Sequence, residues 1–210
     1  MTASLPGVLV LLLAGAVAGP PLALGVSRFE GAADAPRVWI AAALPLILLL
    51  EAIFAPRAHW LAGGILASML LMIASVDALT LRIPDLLSLP LAAIGLVLGS
   101  RTQSSLTDGL LGAVLGFLVL AGLSWAYSAA RDRDGLGLGD AKLFGAGGAW
   151  VGWQGLPTIL LLAAGGGFLI LAVRTLRRGR GALAEGFAFG PALAAGVWLA
   201  WLLAARQGVG

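Results

Sequence analysis

The 210-residue chain contains no cysteine, one histidine and one tyrosine, and only 11% of its residues are charged. Without cysteine there are no disulfides, thiolate nucleophiles, cysteine-ligated zinc sites or iron–sulfur clusters. The single histidine, His59, argues against a histidine-built metal centre. An ordinary soluble domain carries roughly a quarter charged residues, and no stretch here is polar enough to form one. What is abundant is apolar: 60% of residues are hydrophobic and the mean hydropathy is +1.01. That composition belongs to an integral membrane protein, read as one membrane-embedded domain over residues 1–210. The net charge of +3 would suggest nucleic acid in a soluble chain; here it reports arginine-rich loops, and no nucleic-acid partner is expected.

A membrane-crossing helix needs about 20 apolar residues to traverse a hydrocarbon core of about 30 Å. On that ruler the chain divides into an all-α, polytopic bundle of about eight transmembrane helices. The expected spans are Leu5–Val26, Val38–Ala55, Trp60–Val76, Leu86–Ser100, Leu110–Ala129, Ala141–Trp153, Leu156–Val173 and Phe187–Ala205. No lysine or arginine precedes the first, so it lacks the basic region of a signal peptide and is expected to be retained. With both termini outside, ten of the thirteen cationic residues fall in inner loops and only Arg57, Arg101 and Arg206 fall outside. If the short sixth span did not cross, the bias would drop to seven against six.

Two acidic residues stand at the inner boundary of this topology. Asp77 ends the third span in "MLLMIASVDALTLRIPDLLSLP", and Asp140 begins the sixth in "DGLGLGDAKLFGAGGAW". Carboxylates beside apolar spans are costly and need a reason. Asp140 has a structural one available, as an N-cap. Asp77 does not, since the helix dipole disfavours negative charge at a C-terminus. Two carboxylates on one membrane face suit aspartic proteolysis: one activates a water, and the other, protonated, donates to the scissile carbonyl. That chemistry requires no cofactor and no metal. Gly137 and Gly139 would then let the backbone place Asp140 and let a substrate strand approach.

Other readings compete at this level. Glu51, inside the second span, together with Asp77 and Asp140 would suit a proton relay in a small proton-coupled transporter, although no internal repeat is visible. A structural membrane subunit would need none of the three. Taken alone, Glu51 reads as a buried packing residue. Trp150, Trp153, Trp198 and Trp201 read as an interfacial aromatic belt. The fourth and sixth spans cover only about 15 and 13 residues, which suggests a thinned or water-filled region around the aspartates.

"GLGLGDAKL" resembles the GxGD signature of the type IV prepilin (leader) peptidases, membrane aspartic proteases of bacteria, and "DALTLRIPDLLSLPLAAIGL" resembles their other motif. The resemblance continues through "GAGGAWVGWQGLP" and "FAFGPALAAG". It implies that Asp77 and Asp140 are the catalytic pair of an endopeptidase in the bacterial inner membrane. Such an enzyme removes the basic leader from prepilins or pseudopilins at the cytoplasmic face, with substrate and membrane lipid as partners. Lys142 matches the family's lysine, able to tune the aspartate, meet substrate or anchor at the interface. Pro84 and Asp85 shape the turn into the fourth span. Residues 57–210 form the expected catalytic core. Longer relatives carry a cysteine-containing loop linked to N-methylation; here the loop after the first helix is only "SRFEGAADAPR", so methyltransferase activity is not expected.

Overall fold

The computed structural model describes residues 37–102, 104–131, 137–179 and 187–207, and these are helical with short connections. Among the described residues the α-helices are α1 (Arg37–Phe54), α2 (Trp60–Thr80), α3 (Asp85–Thr102), α4 (Leu106–Arg131), α5 (Leu138–Val151), α6 (Leu156–Arg178) and α7 (Gly190–Gln207). Single 3-10 turns, Arg57–His59 and Trp153–Gly155, lead into α2 and α6. The expected second to eighth spans therefore each correspond to a helix. The expected first span and the loop after it lie outside the described residues, apart from Arg37, which opens α1.

Among the described residues, three segments are long and apolar enough to cross a membrane: Arg57–Thr80, Leu106–Ala130 and Trp153–Arg178. The apolar parts of α1, α3 and α7 are shorter, at Ala42–Phe54, Asp85–Ser100 and Gly190–Arg206. With 14 residues, α5 rises about 21 Å, short of a hydrocarbon core.

The shortness of α5 goes with its position at the centre of the bundle. From Ala141 to Val151 every residue except Lys142 is buried, which is the pattern of a helix enclosed on all sides. Its neighbours are α3, α4, α6 and α7. Small residues make the enclosure close: Gly148 of α5 and Gly112 of α4 lie backbone to backbone, and a Cβ on either would overlap the other's carbonyl group. This is how membrane helices gain van der Waals contact where lipid offers no hydrophobic drive to associate.

Large side chains fill the remaining core, among them Phe144, Trp150, Leu66, Ile73, Ile159 and Trp201. The aromatic-belt expectation is corrected here. Trp150 and Trp201 have no exposed surface and Trp198 is buried too, whereas Trp153 is exposed. Trp150 lies in the notch left by Gly95 of α3, and its Nε1–H donates to the Leu91 carbonyl at 3.0 Å. Such a partner allows indole to be buried without stranding its N–H.

At one end of the bundle Asp108 ties α4 to the turn before α6. Ser105 Oγ accepts the Asp108 N–H at 3.1 Å and donates to Oδ2 at 2.7 Å, a capping arrangement. Trp153 Nε1 and Gln154 Nε2 donate to Oδ1 at 3.0 and 3.3 Å. The opposite end gathers the C-terminus of α2 with the N-termini of α3, α5 and α7.

Candidate active site

Asp77 sits in the last turn of α2 and is 5% exposed. Its carbonyl accepts the N–H of Leu81 at 2.8 Å, closing the helix. Leu81 adopts the left-handed conformation, φ 54°, a position usually given to glycine. This sharp stop turns the chain through Arg82 and Ile83 to Pro84. The Pro84 carbonyl accepts from the amides of Leu87 and Ser88 at 3.0 and 3.1 Å and so starts α3. The ring also disfavours helical geometry at Ile83. Pro84 thus stands at the turn between α2 and α3.

Asp140 is the third residue of α5, with Gly137 as the N-cap. The helix-capping alternative is therefore corrected: Asp140 lies in the first turn, where its charge still suits the dipole, and Gly137 supplies the cap position without a side chain. The Asp140 amide donates to the Gly137 carbonyl at 3.0 Å. Half-buried, its carboxylate has one oxygen, Oδ1, that is enclosed and without a hydrogen-bond partner among the described residues.

Both carboxylates open onto one cavity of about 300 Å³. Leu81, Arg82 and Ile83 line it from the turn after α2, and Gly137, Leu138 and Gly139 from the start of α5. The two expected aspartates are thus brought together from different helices. The two glycines divide. A Cβ on Gly139 would lie 2.9 Å from the Cβ of Ile83, so close approach of α5 to the α2–α3 turn requires glycine there. A Cβ on Gly137 would meet nothing nearer than 3.6 Å, and its backbone is extended, so neither space nor conformation demands glycine.

Two groups in the site were not marked by the sequence. The N–H of Gly190, first residue of α7, donates to Asp77 Oδ2 at 2.8 Å. The free amides and dipole at a helix N-terminus suit such a carboxylate. A Cβ on Gly190 would lie 2.5 Å from that oxygen, so only glycine permits the contact. The "FGP" of the C-terminal motif was the available signal. Arg82, exposed on the cavity wall, is the second; its sequence position marked it only as a loop cation.

Lys142 does not hydrogen-bond to Asp140. Its Nζ lies 2.6 Å from Asp85 Oδ1, an ion pair that joins one residue from each aspartate motif. Glu51 is elsewhere: fully buried, its carboxyl group packs against Gly63, and neither carboxyl oxygen has a hydrogen-bond partner among the described residues. Gly63 precedes Asp77 in α2 by fourteen residues, about 21 Å of helix, so Glu51 does not join the two aspartates in a short relay. No group of three or more metal-ligating side chains occurs among the described residues.

A helical membrane protein with two carboxylates in one cavity, at one end of the bundle, is the class that fold and site define. The type IV leader peptidase family matches residues 64–173, and the chain belongs to that family. Among similar proteins is the "prepilin leader peptidase/N-methyltransferase" of Pectobacterium carotovorum subsp. carotovorum, 40% identical over 158 residues, covering 71% of this chain and 56% of the relative. The protein of that name from Burkholderia pseudomallei (strain 1026b) is 40% identical over 146 residues, covering 69% and 47%. That from Aeromonas hydrophila is 38% identical over 175 residues, covering 78% and 59%. The chain thus spans about half the length of the curated relatives it matches. No solved structure matches it.

Proposed function

We propose that this chain is an aspartic endopeptidase that removes the basic leader from type IV prepilins or pseudopilins, with Asp77 and Asp140 as its catalytic pair. The observation that carries the reading is the shared cavity: two carboxylates separated by 63 residues of sequence line one space. At such a pair, repulsion between like charges favours one shared proton. One carboxylate takes a proton from water as it attacks the scissile carbonyl, and the other donates to the carbonyl oxygen. Asp77 suits the base, because the Gly190 N–H donated to Oδ2 favours its ionised form, and Asp140 is left to donate. The Gly190 amide holds the Asp77 carboxyl in one orientation, with its other oxygen left for the attacking water.

The arrangement in the membrane completes the proposal. Residues 1–210 act as one membrane domain of about eight spans with both termini outside, residues 57–210 forming the catalytic core and 1–56 its N-terminal part. The paired aspartates then face the cytoplasm at the bacterial inner membrane, in agreement with the charge bias of the loops. The proposal does not extend to the methyltransferase activity in the relatives' names, because the loop at Ser27–Arg37 is short and the chain has no cysteine.

The test is cleavage of a prepilin in membranes containing wild type, Asp77→Asn or Asp140→Asn at matched expression. Each single variant is expected to lose cleavage by at least about a thousandfold, since the pair acts as a unit. Wild-type rates from either variant would refute the mechanism.

A further inference from the structure

A second recess, of about 210 Å³, lies where α1, α2 and α7 meet. From α2 it is lined by Ala67, Leu70, Leu71 and Ala74. From α7 it receives Pro191, Ala194, Ala195 and Trp198. Each set repeats at i, i+3, i+4 and i+7, the spacing of a single helical stripe. The recess is therefore a groove between two antiparallel helices, with Ile47 of α1 as a third wall. Half of these eight residues are alanine, which lets a third helix approach closely, the main source of association among membrane helices. Among the described residues, no charged side chain lines the groove.

One end of the groove is fixed by the aspartate cavity. Ala74 precedes Asp77 by three residues on α2, and Pro191 follows Gly190, the residue whose amide binds Asp77. Ala67 and Trp198 mark the other end, seven residues along each helix, or about 10 Å away.

We propose that this groove receives the hydrophobic helix of the prepilin substrate. The assignment rests on the peptidase reading and adds where the substrate lies. A helix seated with its N-terminal end at Ala74 and Pro191 puts the peptide bond preceding it beside Asp77. The leader then runs into the cavity that Asp77 shares with Asp140. The groove holds one or two large side chains of that helix, and the rest of the helix stays against lipid. Continuity with the cavity favours substrate over the chain's own first apolar segment as occupant.

Site-specific photo-crosslinking tests this. A benzophenone amino acid is placed at Leu71 or Ala195 of the full-length Asp77→Asn chain, in membranes containing a prepilin. Leu161 and Phe168 of α6, 74% and 75% exposed, serve as lipid-facing controls. The expected result is a prepilin adduct from Leu71 and Ala195 at least tenfold above the controls. Adducts chiefly from the controls, adducts from none of the four positions, or an intramolecular adduct to residues 1–36 would each overturn the assignment. Cleavage by wild type in the same membranes separates the two readings: cleavage without a groove adduct removes only the groove, whereas an uncut prepilin removes the peptidase reading itself.

Discussion

The backbone N–H of Gly190 donates to Oδ2 of Asp77 at 2.8 Å, although 113 residues of chain separate them. This bond makes the first turn of α7 part of the wall behind the carboxylate. A methyl group at position 190 would fall 2.5 Å from Oδ2 and 2.7 Å from Cγ, so it must displace the Asp77 side chain or the helix. A displacement of about 1 Å at a reacting group costs on the order of a hundredfold in rate. Gly190→Ala is therefore expected to lower kcat for prepilin cleavage about a hundredfold while the protein still inserts and folds, measured in membranes at matched protein levels.

The Lys142–Asp85 pair joins the two motifs outside the cavity, and both side chains are partly exposed. Pairs of this kind contribute about 0.2–1 kcal/mol. Lys142→Ala is expected to reduce cleavage only a few-fold and to leave thermal stability nearly unchanged. The charge-swapped double variant Lys142→Asp/Asp85→Lys should recover most of the loss. A Lys142→Ala enzyme as inactive as Asp140→Asn would mean instead that the amine acts on the substrate.

The contact between Gly112 and Gly148 leaves no space for any side chain. Gly148→Ala should force α4 and α5 apart and destabilise the protein by at least about 1–3 kcal/mol, as overpacked cores do. Gly122, also in α4, faces open space: a methyl group there would meet nothing within 4 Å. Gly122→Ala is expected to be neutral or stabilising by up to about 1 kcal/mol, the helix-propensity difference. Unfolding midpoints in detergent compare the two.

Glu51 packs deep in the bundle, and its oxygens make no hydrogen bond among the described residues. Replacing it with a neutral side chain of the same shape removes no partner. Glu51→Gln is expected to cleave within twofold of wild type and to melt no lower. A loss of activity comparable to that of the aspartate variants would instead bring Glu51 into the chemistry, as a proton relay requires.

Sequence made the helices and the aspartate pair legible because hydropathy separates apolar spans from charged turns, and the two motifs stand out in the gaps. It did not show which side of a helix faces the bundle. Lipid and protein interior are about equally apolar, so Trp150, enclosed beside Gly95, reads the same as Trp153, which is exposed. Contacts between distant segments were equally hidden. Lys142 stands two residues from Asp140 yet pairs with Asp85, because the side chain follows the packing of α5 on α3 rather than its nearest neighbour in sequence. The reason for glycine at 190 lies wholly in Asp77, which no local pattern near 190 reveals.

The distance along the chain between Asp77 and its amide partner also orders events during synthesis. A ribosome making this protein delivers Asp77 to the membrane long before Gly190 exists, and Asp140 arrives between them. Until the last helix has inserted, the Asp77 carboxylate lacks the donor that holds it. The proposed proteolytic centre is thus completed only when α7 arrives, and a nascent chain stalled before residue 190 reaches the bilayer with the Asp77 carboxylate unheld.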